Sequence, residues 1–454
     1  MRTIHTSGRN PAAIRQTGLV CALLITLALL VPLRNAFTAS ATSAPAESTI
    51  VLDTAGAPFL QGISQAVNNG PGNQNWAHVD CDVASYSNDD FEGFSTIHYQ
   101  NLSTAADHIV PGNQVDILSD VSGSRIAFTE ASLSGDTVRV FDTSSQTITV
   151  VPGFGFSNPS IGGNLVAFED RNSWDQGQIT TYDLSTGVVT RLTNDSLSNG
   201  GADVSPNGKA VVWQQCQTPF LDCDIYAAIQ TSPGVFTTRA LTTGGGNDLF
   251  PSTNGEIAVY ESNRTGENDI YYQPLASGTE VHLAIPGDQR LPTISGDLIS
   301  FESGDSQRGG YEIFVYDIRS GKLFQVTNTL GFDEQLNEIS VCGDVGRIVY
   351  GIPGDGFDAY AFTFQVPSVN ENQIDDLISQ VRSFNLQPGI ANSLIRKLQN
   401  ALDAIDAGDT ATACSSLNAF INECQAQSGK KLTAQQAAQL ITAASQIKTG
   451  LGCQ

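Results

Sequence analysis

Residues 291–327 read LPTISGDLISFESGDSQRGGYEIFVYDIRSGKLFQVT. A short strand runs into the Ser295-Gly296 turn, an apolar strand follows, then a polar loop, a third strand, a second turn at Ser320-Gly321, and a last strand ending in Val-Thr. Within Glu312-Ile313-Phe314-Val315-Tyr316 successive side chains face opposite sides of a sheet, and the Ser-Gly dipeptides close hairpins. The same unit recurs at 158–193 and 250–284, more weakly at 120–151, 201–242 and 337–364, and in degenerate form from His78. Its second strands centre on Val83, Ile126, Val166, Val211, Ile257, Ile299 and Ile348, at spacings of 43, 40, 45, 46, 42 and 49 residues. Four short strands on a period near 45 residues make a propeller blade. The sequence therefore predicts a mainly β chain, a six- or seven-bladed β-propeller with seven the favoured count, over residues 76–366.

A ring has to close, because an unclosed blade leaves a bare strand edge. The last copy stops near Phe364 after three strands, and the N-terminal strand at 48–52, within a linker at 42–75, is the candidate for the missing fourth. Cys81 and Cys342 hold similar offsets in the first and last copies, which a ring makes neighbours, so they are a candidate bridge across the closure. Cys216 and Cys223 flank the short loop QTPFLD and are a candidate hairpin staple.

After a linker at 367–370 the period changes. Over 371–454 apolar residues recur at three and four positions (Ile374, Leu377, Ile378, Val381; Ile390, Leu394, Leu398, Leu402), with breaks at Pro388-Gly389, Gly408 and Gly429. That predicts a small C-terminal four-helix bundle. Asp409 and Thr433 are its expected N-caps. Cys414 and Cys453 are a candidate bridge in it, which leaves Cys424 as the odd thiol.

The chain is 454 residues long with 22 basic and 46 acidic residues, a formal charge of −24. Binding to DNA or RNA needs phosphate-neutralising Lys and Arg, so this balance argues against a nucleic-acid partner. The N-terminus carries Arg2, Arg9 and Arg15, an apolar run at 18–33 and a small-residue site at Ala39-Ser40-Ala41. This is the order of a secretory signal peptide, assigned to residues 1–41. The run is shorter than the roughly 20 residues of a spanning helix, so an N-terminal membrane anchor is the secondary reading, and no membrane insertion is expected after cleavage. With four arginines removed, 18 basic residues face 46 acidic ones and the mature charge is −28. Seven remaining cysteines suit an oxidising compartment, so the expected location is secreted or periplasmic.

The propeller copies resemble the TolB-like family of exported bacterial propellers. The matching residues are Pro159, Pro251 and Pro292 before the first strand; Gly162, Gly255 and Gly296 at the turn; Asp269 and Glu312 before the third strand; and Thr193, Thr242 and Thr327 at the end. Ala227-Ala228 departs from the family's bulkier strand residues. The resemblance implies a fold shared by envelope-docking proteins, peptidase-gating propellers and lyases of pectic oligosaccharides. The tail resembles the FIMAH module of secreted bacterial proteins through SLIRKLQNALDA and ACSSLNAFINECQAQSGKKLTAQQAAQLI, which implies an extracellular context and no activity.

Chemical motifs are scarce. GxSxG, GxxxxGK[ST] and HExxH are all missing from the sequence, so serine hydrolysis, phosphate cradling and the zincin type of metal site lack their signatures. His78, His98, His108 and His282 are the histidines left after processing, three of them in the first copy, and they pick out no metal site. Asp80, Asp82, Asp222 and Asp224 form DxD pairs, which leaves Ca²⁺ as the one candidate cofactor. Asp142, Asp183 and Asp317 open turns (FDTSS, YDLSTG, YDIRSG) and read as turn caps. Trp174, in NSWDQG, is the candidate ligand contact, because a loop indole can stack on a sugar ring. The resulting expectation leans away from an enzyme. It is an exported, non-catalytic scaffold with no assigned catalytic residue, binding an envelope or extracellular protein or a surface polysaccharide. The alternative is a polysaccharide or oligosaccharide lyase or hydrolase with its site in the propeller channel.

Overall fold

In this computed structural model the residues described are 47–453, apart from 69, 91–92, 114, 154, 172–175, 306–309, 330–332, 354–356 and 368. The signal peptide assigned to 1–41 lies outside them, as does Trp174. Seven sheets, each with four antiparallel strands, form seven blades. Their innermost strands are Asn73–Asp80, Asp116–Ser122, Phe156–Gly162, Ser198–Val204, Asp248–Thr253, Asp288–Ser295 and Gln335–Cys342. Blades are numbered 1 to 7 in that order. Each inner strand packs on the next, and that of blade 7 packs on that of blade 1, which closes the wheel.

One column of residues explains why the blades stack. In each second strand the same position is aromatic and buried: Tyr86, Phe128, Phe168, Trp213, Tyr260, Phe301 and Tyr350. The preceding residues, Ser85, Ala127, Ala167, Val212, Val259, Ser300 and Val349, are smaller and buried too. Large residues on one sheet face and small ones on the other let neighbouring blades interlock, and each ring truncated to Ala would cost about 3–5 kcal/mol.

Closure differs from the sequence expectation. The fourth strand of blade 7 is Gly62–Asn68, antiparallel to Phe357–Gln365. The strand Glu47–Val51 instead runs parallel to Glu280–Ala284 as a fifth strand of blade 5. Between them, Gln325 N–H donates to Pro58 O and Leu60 N–H to Gln325 O, at 2.9 and 2.8 Å, on the outer strand of blade 6. The N-terminal segment is thus a strap across three blades. Both stretches can pair through backbone alone. The closing strand follows the strap by only ten residues, so chain length places Gly62–Asn68 at the gap.

Three disulfides are present: Cys81–Cys342 between blades 1 and 7, Cys216–Cys223 within blade 4, and Cys414–Cys453 in the tail. Cys424 is free and buried.

The tail forms four helices, α1 (Val369–Ser383), α2 (Pro388–Asp406), α3 (Thr410–Gln427) and α4 (Ala434–Gly450). Their common core includes Ile374, Leu377, Leu394, Leu398, Leu417, Phe420 and Leu440. Asp409 caps α3 by accepting from Thr412 N–H at 3.0 Å. Thr433 and Gln436 exchange bonds at the start of α4, a capping box. Lys322 of blade 6 meets Asp376 of α1 at 3.2 Å.

Candidate functional site

All seven inner strands carry a bulge at the same place, with one residue more than the second strand opposite it. The first unpaired residue is left-handed in every case: Trp76, Leu118, Asn158, Gly201, Phe250, Leu291 and Leu336, with φ between 49° and 58°. In six of them the freed N–H donates to a side chain of the preceding blade, from Leu118 to Ser87 Oγ at 3.2 Å round to Leu336 to Glu302 Oε1 at 2.6 Å. That bond offsets the cost of a left-handed non-glycine residue. Pro159, Pro251 and Pro292, expected before the first strand, lie inside it as the second bulge residue. A bulge asks for no ladder N–H there, so proline fits.

Two residues beyond each left-handed position lies a ring around the channel: His78, Asp120, Ser160, Asp203, Ser252, Thr293 and Glu338. Five of these accept an N–H from the next blade. Ile161 donates to Asp120 Oδ2 (2.7 Å), Val204 to Ser160 Oγ (3.0 Å), Thr253 to Asp203 Oδ2 (2.7 Å), Ile294 to Ser252 Oγ (3.4 Å) and Ile339 to Thr293 Oγ1 (3.2 Å). The ring shuts with an ion pair between His78 Nδ1 and Glu338. Asp120 stands 3.7 Å from the same nitrogen. Burial works against the His78 charge, but Glu338, Asp120 and Asp203 outweigh it and push its pKa up to about 9. Burial raises Asp120 to about 6, with His78 pulling the other way. Burial and Asp120 together raise Asp203 to about 7. Asp203 of blade 4 and His78 of blade 1 therefore act on each other across the hub.

One imidazole nitrogen and two carboxylates, of His78, Asp120 and Glu338, lie within 4.8 Å of one another and could hold a metal ion. Both Asp120 oxygens already accept backbone N–H bonds, from Val121 and Ile161. The ring's first role is thus to join blades.

The other histidines lie apart from it. His98 contacts Asp107 (2.8 Å) and Thr96 Oγ1 (3.2 Å) on blade 1. This is the nearest approach to a hydroxyl–imidazole–carboxylate relay, but Thr96 lies within a sheet, whose N–H groups serve the ladder rather than an oxyanion. His108, in the outer strand, stacks on Tyr99. His282 stacks on Tyr271 and contacts Asp269. Three of the four DxD acids have protein partners: Asp80 accepts from Gly123 N–H, Asp224 from Gly244 N–H, and Asp82 pairs with Arg347. Asp142, Asp183 and Asp317 each accept a backbone N–H two residues on. Neither the bulge residues nor the ring stood out in the sequence. The signal was there as an alignment column, a polar residue followed by an apolar one in six of the seven copies and by Thr253 in the other.

A second feature lies at the channel mouth. In an antiparallel blade the second-to-third hairpins and the entries to the first strands share one face. On that face Phe94, Val115 and Leu133 are exposed on blades 1 and 2, and Phe220, Leu221 and Phe250 on blades 4 and 5. Ser95 bridges Val115, and Ala131 N–H donates to Val115 O, so the backbone segments bearing the first three adjoin. The Phe220 and Phe250 rings lie 6.3 Å apart.

No protein-family model matches the chain, and no curated protein matches it. Among solved structures it is similar to an oligogalacturonate lyase in complex with manganese, at 13% identity over 69% of this chain and 96% of that one, TM-score 0.52. It is similar to the β-propeller domain of the trilobed protease from Pyrococcus furiosus, at 11% identity over 66% and 99%, TM-score 0.50. TolB from Acinetobacter baumannii aligns at 16% identity over 63% and 80%, TM-score 0.37. The chain spans about half the length of the peptidases it also matches, such as a puromycin-hydrolysing peptidase of Mycobacterium tuberculosis. These likenesses show the propeller fold alone.

Proposed function

We propose that this protein is an exported, non-catalytic docking propeller that binds a protein partner at the envelope or outside the cell. The observation that carries the reading is the pair of apolar patches, Phe94–Val115–Leu133 and Phe220–Leu221–Phe250, flanking the channel mouth on one face. Exposed apolar patches of this kind mark protein contacts. The mature chain's charge of −28 favours a partner with a neutral or basic surface. Three disulfides and the N-terminal leader support export, and the helical tail, which resembles FIMAH, offers a second contact. Photo-crosslinking from position 133 or 221 in the producing cell tests it. The reading expects a defined protein adduct there and none from position 188 or 235 at the third-to-fourth hairpins. Adducts equal at all four positions, or at none, would overturn it.

The alternative is cleavage of a polysaccharide in the channel, supported by the convergence of His78, Asp120 and Glu338. His98, His108 and His282 lie elsewhere, so the test narrows to His78→Asn. Uronate-containing glycans degraded by the wild type and not by this variant would favour it. No degradation by either ends it.

A further inference from the structure

The seven blades provide their own comparison for buried charge. At these seams one equivalent position near the start of a blade's third strand lies beside the residue four positions before the hub ring in the next. Between blades 5 and 6 these are Asp269 and Gln289, where Gln289 N–H donates to Asn268 O at 2.8 Å. Between blades 3 and 4 they are Gln178 and Asn199. Two seams place acids at both positions. Between blades 4 and 5 they are Asp224 and Asp248, and Arg264 neutralises Asp248 with a contact of 2.9 Å. Between blades 6 and 7 they are Glu312 and Glu334, where Glu334 N–H donates to Tyr311 O at 3.0 Å.

Among the described residues the second acid pair has no such arginine. The blade 7 hairpin equivalent to the one bearing Arg264 reads Gly354-Asp355-Gly356 in the sequence. Among the described residues no basic side chain pairs with Glu312 or Glu334. Glu334 is fully buried, and among the described residues neither of its carboxylate oxygens has a hydrogen-bond partner of good geometry. Glu312, 5% exposed, accepts Thr329 N–H at 3.2 Å. A buried carboxylate pair without a counter-charge is among the costliest arrangements in a core.

We infer that the seam between blades 6 and 7 is a binding site for a hard divalent cation, Ca²⁺, held between the carboxylates of Glu312 and Glu334. The ion plays the part that Arg264 plays two seams away. The donors are all oxygen and two carboxylates cancel its charge, which is the chemistry Ca²⁺ takes.

The test uses the full-length processed protein, with Tb³⁺ as a Ca²⁺ probe excited through the tyrosines, Tyr311 being adjacent. The wild type is expected to bind one Tb³⁺ that Ca²⁺ displaces, and at pH 8 a hundredfold excess of Ca²⁺ over its Kd raises Tm by roughly 4 °C over EDTA. Glu334→Gln copies Gln289 at the equivalent position, so it folds. It should bind at least tenfold more weakly, lose the Ca²⁺ shift, and melt in EDTA no lower than the wild type. Glu338→Gln, at the hub, should keep the response. An unchanged wild-type Tm, an equal shift in Glu334→Gln, or a shift lost only in Glu338→Gln overturns the inference.

Discussion

Cys81 and Cys342 are 261 residues apart in sequence and 5.5 Å apart at their Cα atoms, joined by a disulfide at the inner end of the seam between blades 1 and 7. The same seam is held at its outer side by the pairing of Gly62–Asn68 with Phe357–Gln365. A propeller can open only where its two ends meet, so this bridge restrains the weakest joint of the ring. A cross-link over so long a loop stabilises chiefly by restricting the unfolded chain. The double variant Cys81→Ser/Cys342→Ser should lose about 3 kcal/mol, read as a lower urea midpoint of the propeller transition. Removing the short-loop bridge with Cys216→Ser/Cys223→Ser should cost less. The reverse order would show that closure does not limit stability.

Truncation should separate the strap from the closing strand. Deleting residues 47–57 removes the parallel strand on blade 5 but leaves blade 7 complete, so the ring survives with a modest fall in Tm. Gln65→Pro lies inside the closing strand, opposite Ala361, and takes away a ladder N–H as well as fixing φ. Limited proteolysis should cut that variant quickly and the truncated protein slowly. Equal protection in both would refute the assignment of Gly62–Asn68 as the lock.

The buried acids set a pH dependence of definite sign. Burial raises Asp116, Asp203 and Glu302 to about 7, Asp120 to about 6 and Glu261 to about 8. A carboxyl whose folded pKa exceeds its unfolded value of about 4 favours folding fully below that value and progressively less as pH rises through the folded one. His78, raised to about 9, adds a contribution of the same sign that is lost as pH passes 9. Asp142 and Asp183 are lowered, so what they contribute is lost only on further acidification, below the ordinary carboxylate range. Tm measured in EDTA should therefore peak in mild acid, between about pH 4 and 6, and fall towards pH 9. A maximum at pH 8 would contradict these assignments.

The wheel was legible in the sequence because each copy repeats hard constraints: alternation in strands such as 312–316, a turn dipeptide, and a fixed spacing. The closing strand was not. Gly62–Asn68 reads GISQAVN, with Val67 its one buried hydrophobic residue, since an outer strand needs pairing more than burial. The β-branched stretch at 48–52 carried the stronger strand signal and drew the assignment. The hub was illegible for another reason. Asp120, Ser160 or Asp203 alone looks like an ordinary strand polar residue. Each acquires a partner only when the next blade is laid beside it, 41–50 residues on, at Ile161, Val204 or Thr253.

The ring also predicts which substitutions the hub tolerates. Asp203 Oδ2 accepts the Thr253 N–H at 2.7 Å, while Ser160 and Ser252 do the same work with a neutral hydroxyl. Asp203→Ser keeps an acceptor of that kind and removes a carboxylate that burial and Asp120 disfavour. It should leave the Tm at pH 8 unchanged or raise it, and should flatten the pH dependence between pH 6 and 8. Asp203→Ala removes the charge but also leaves Thr253 N–H without its acceptor, which costs about 1–3 kcal/mol. The difference between the two variants measures the inter-blade hydrogen bond, since both lack the charge. If Ala proves as stable as Ser at pH 8, the N–H has found another partner and the ring is not what joins blade 4 to blade 5.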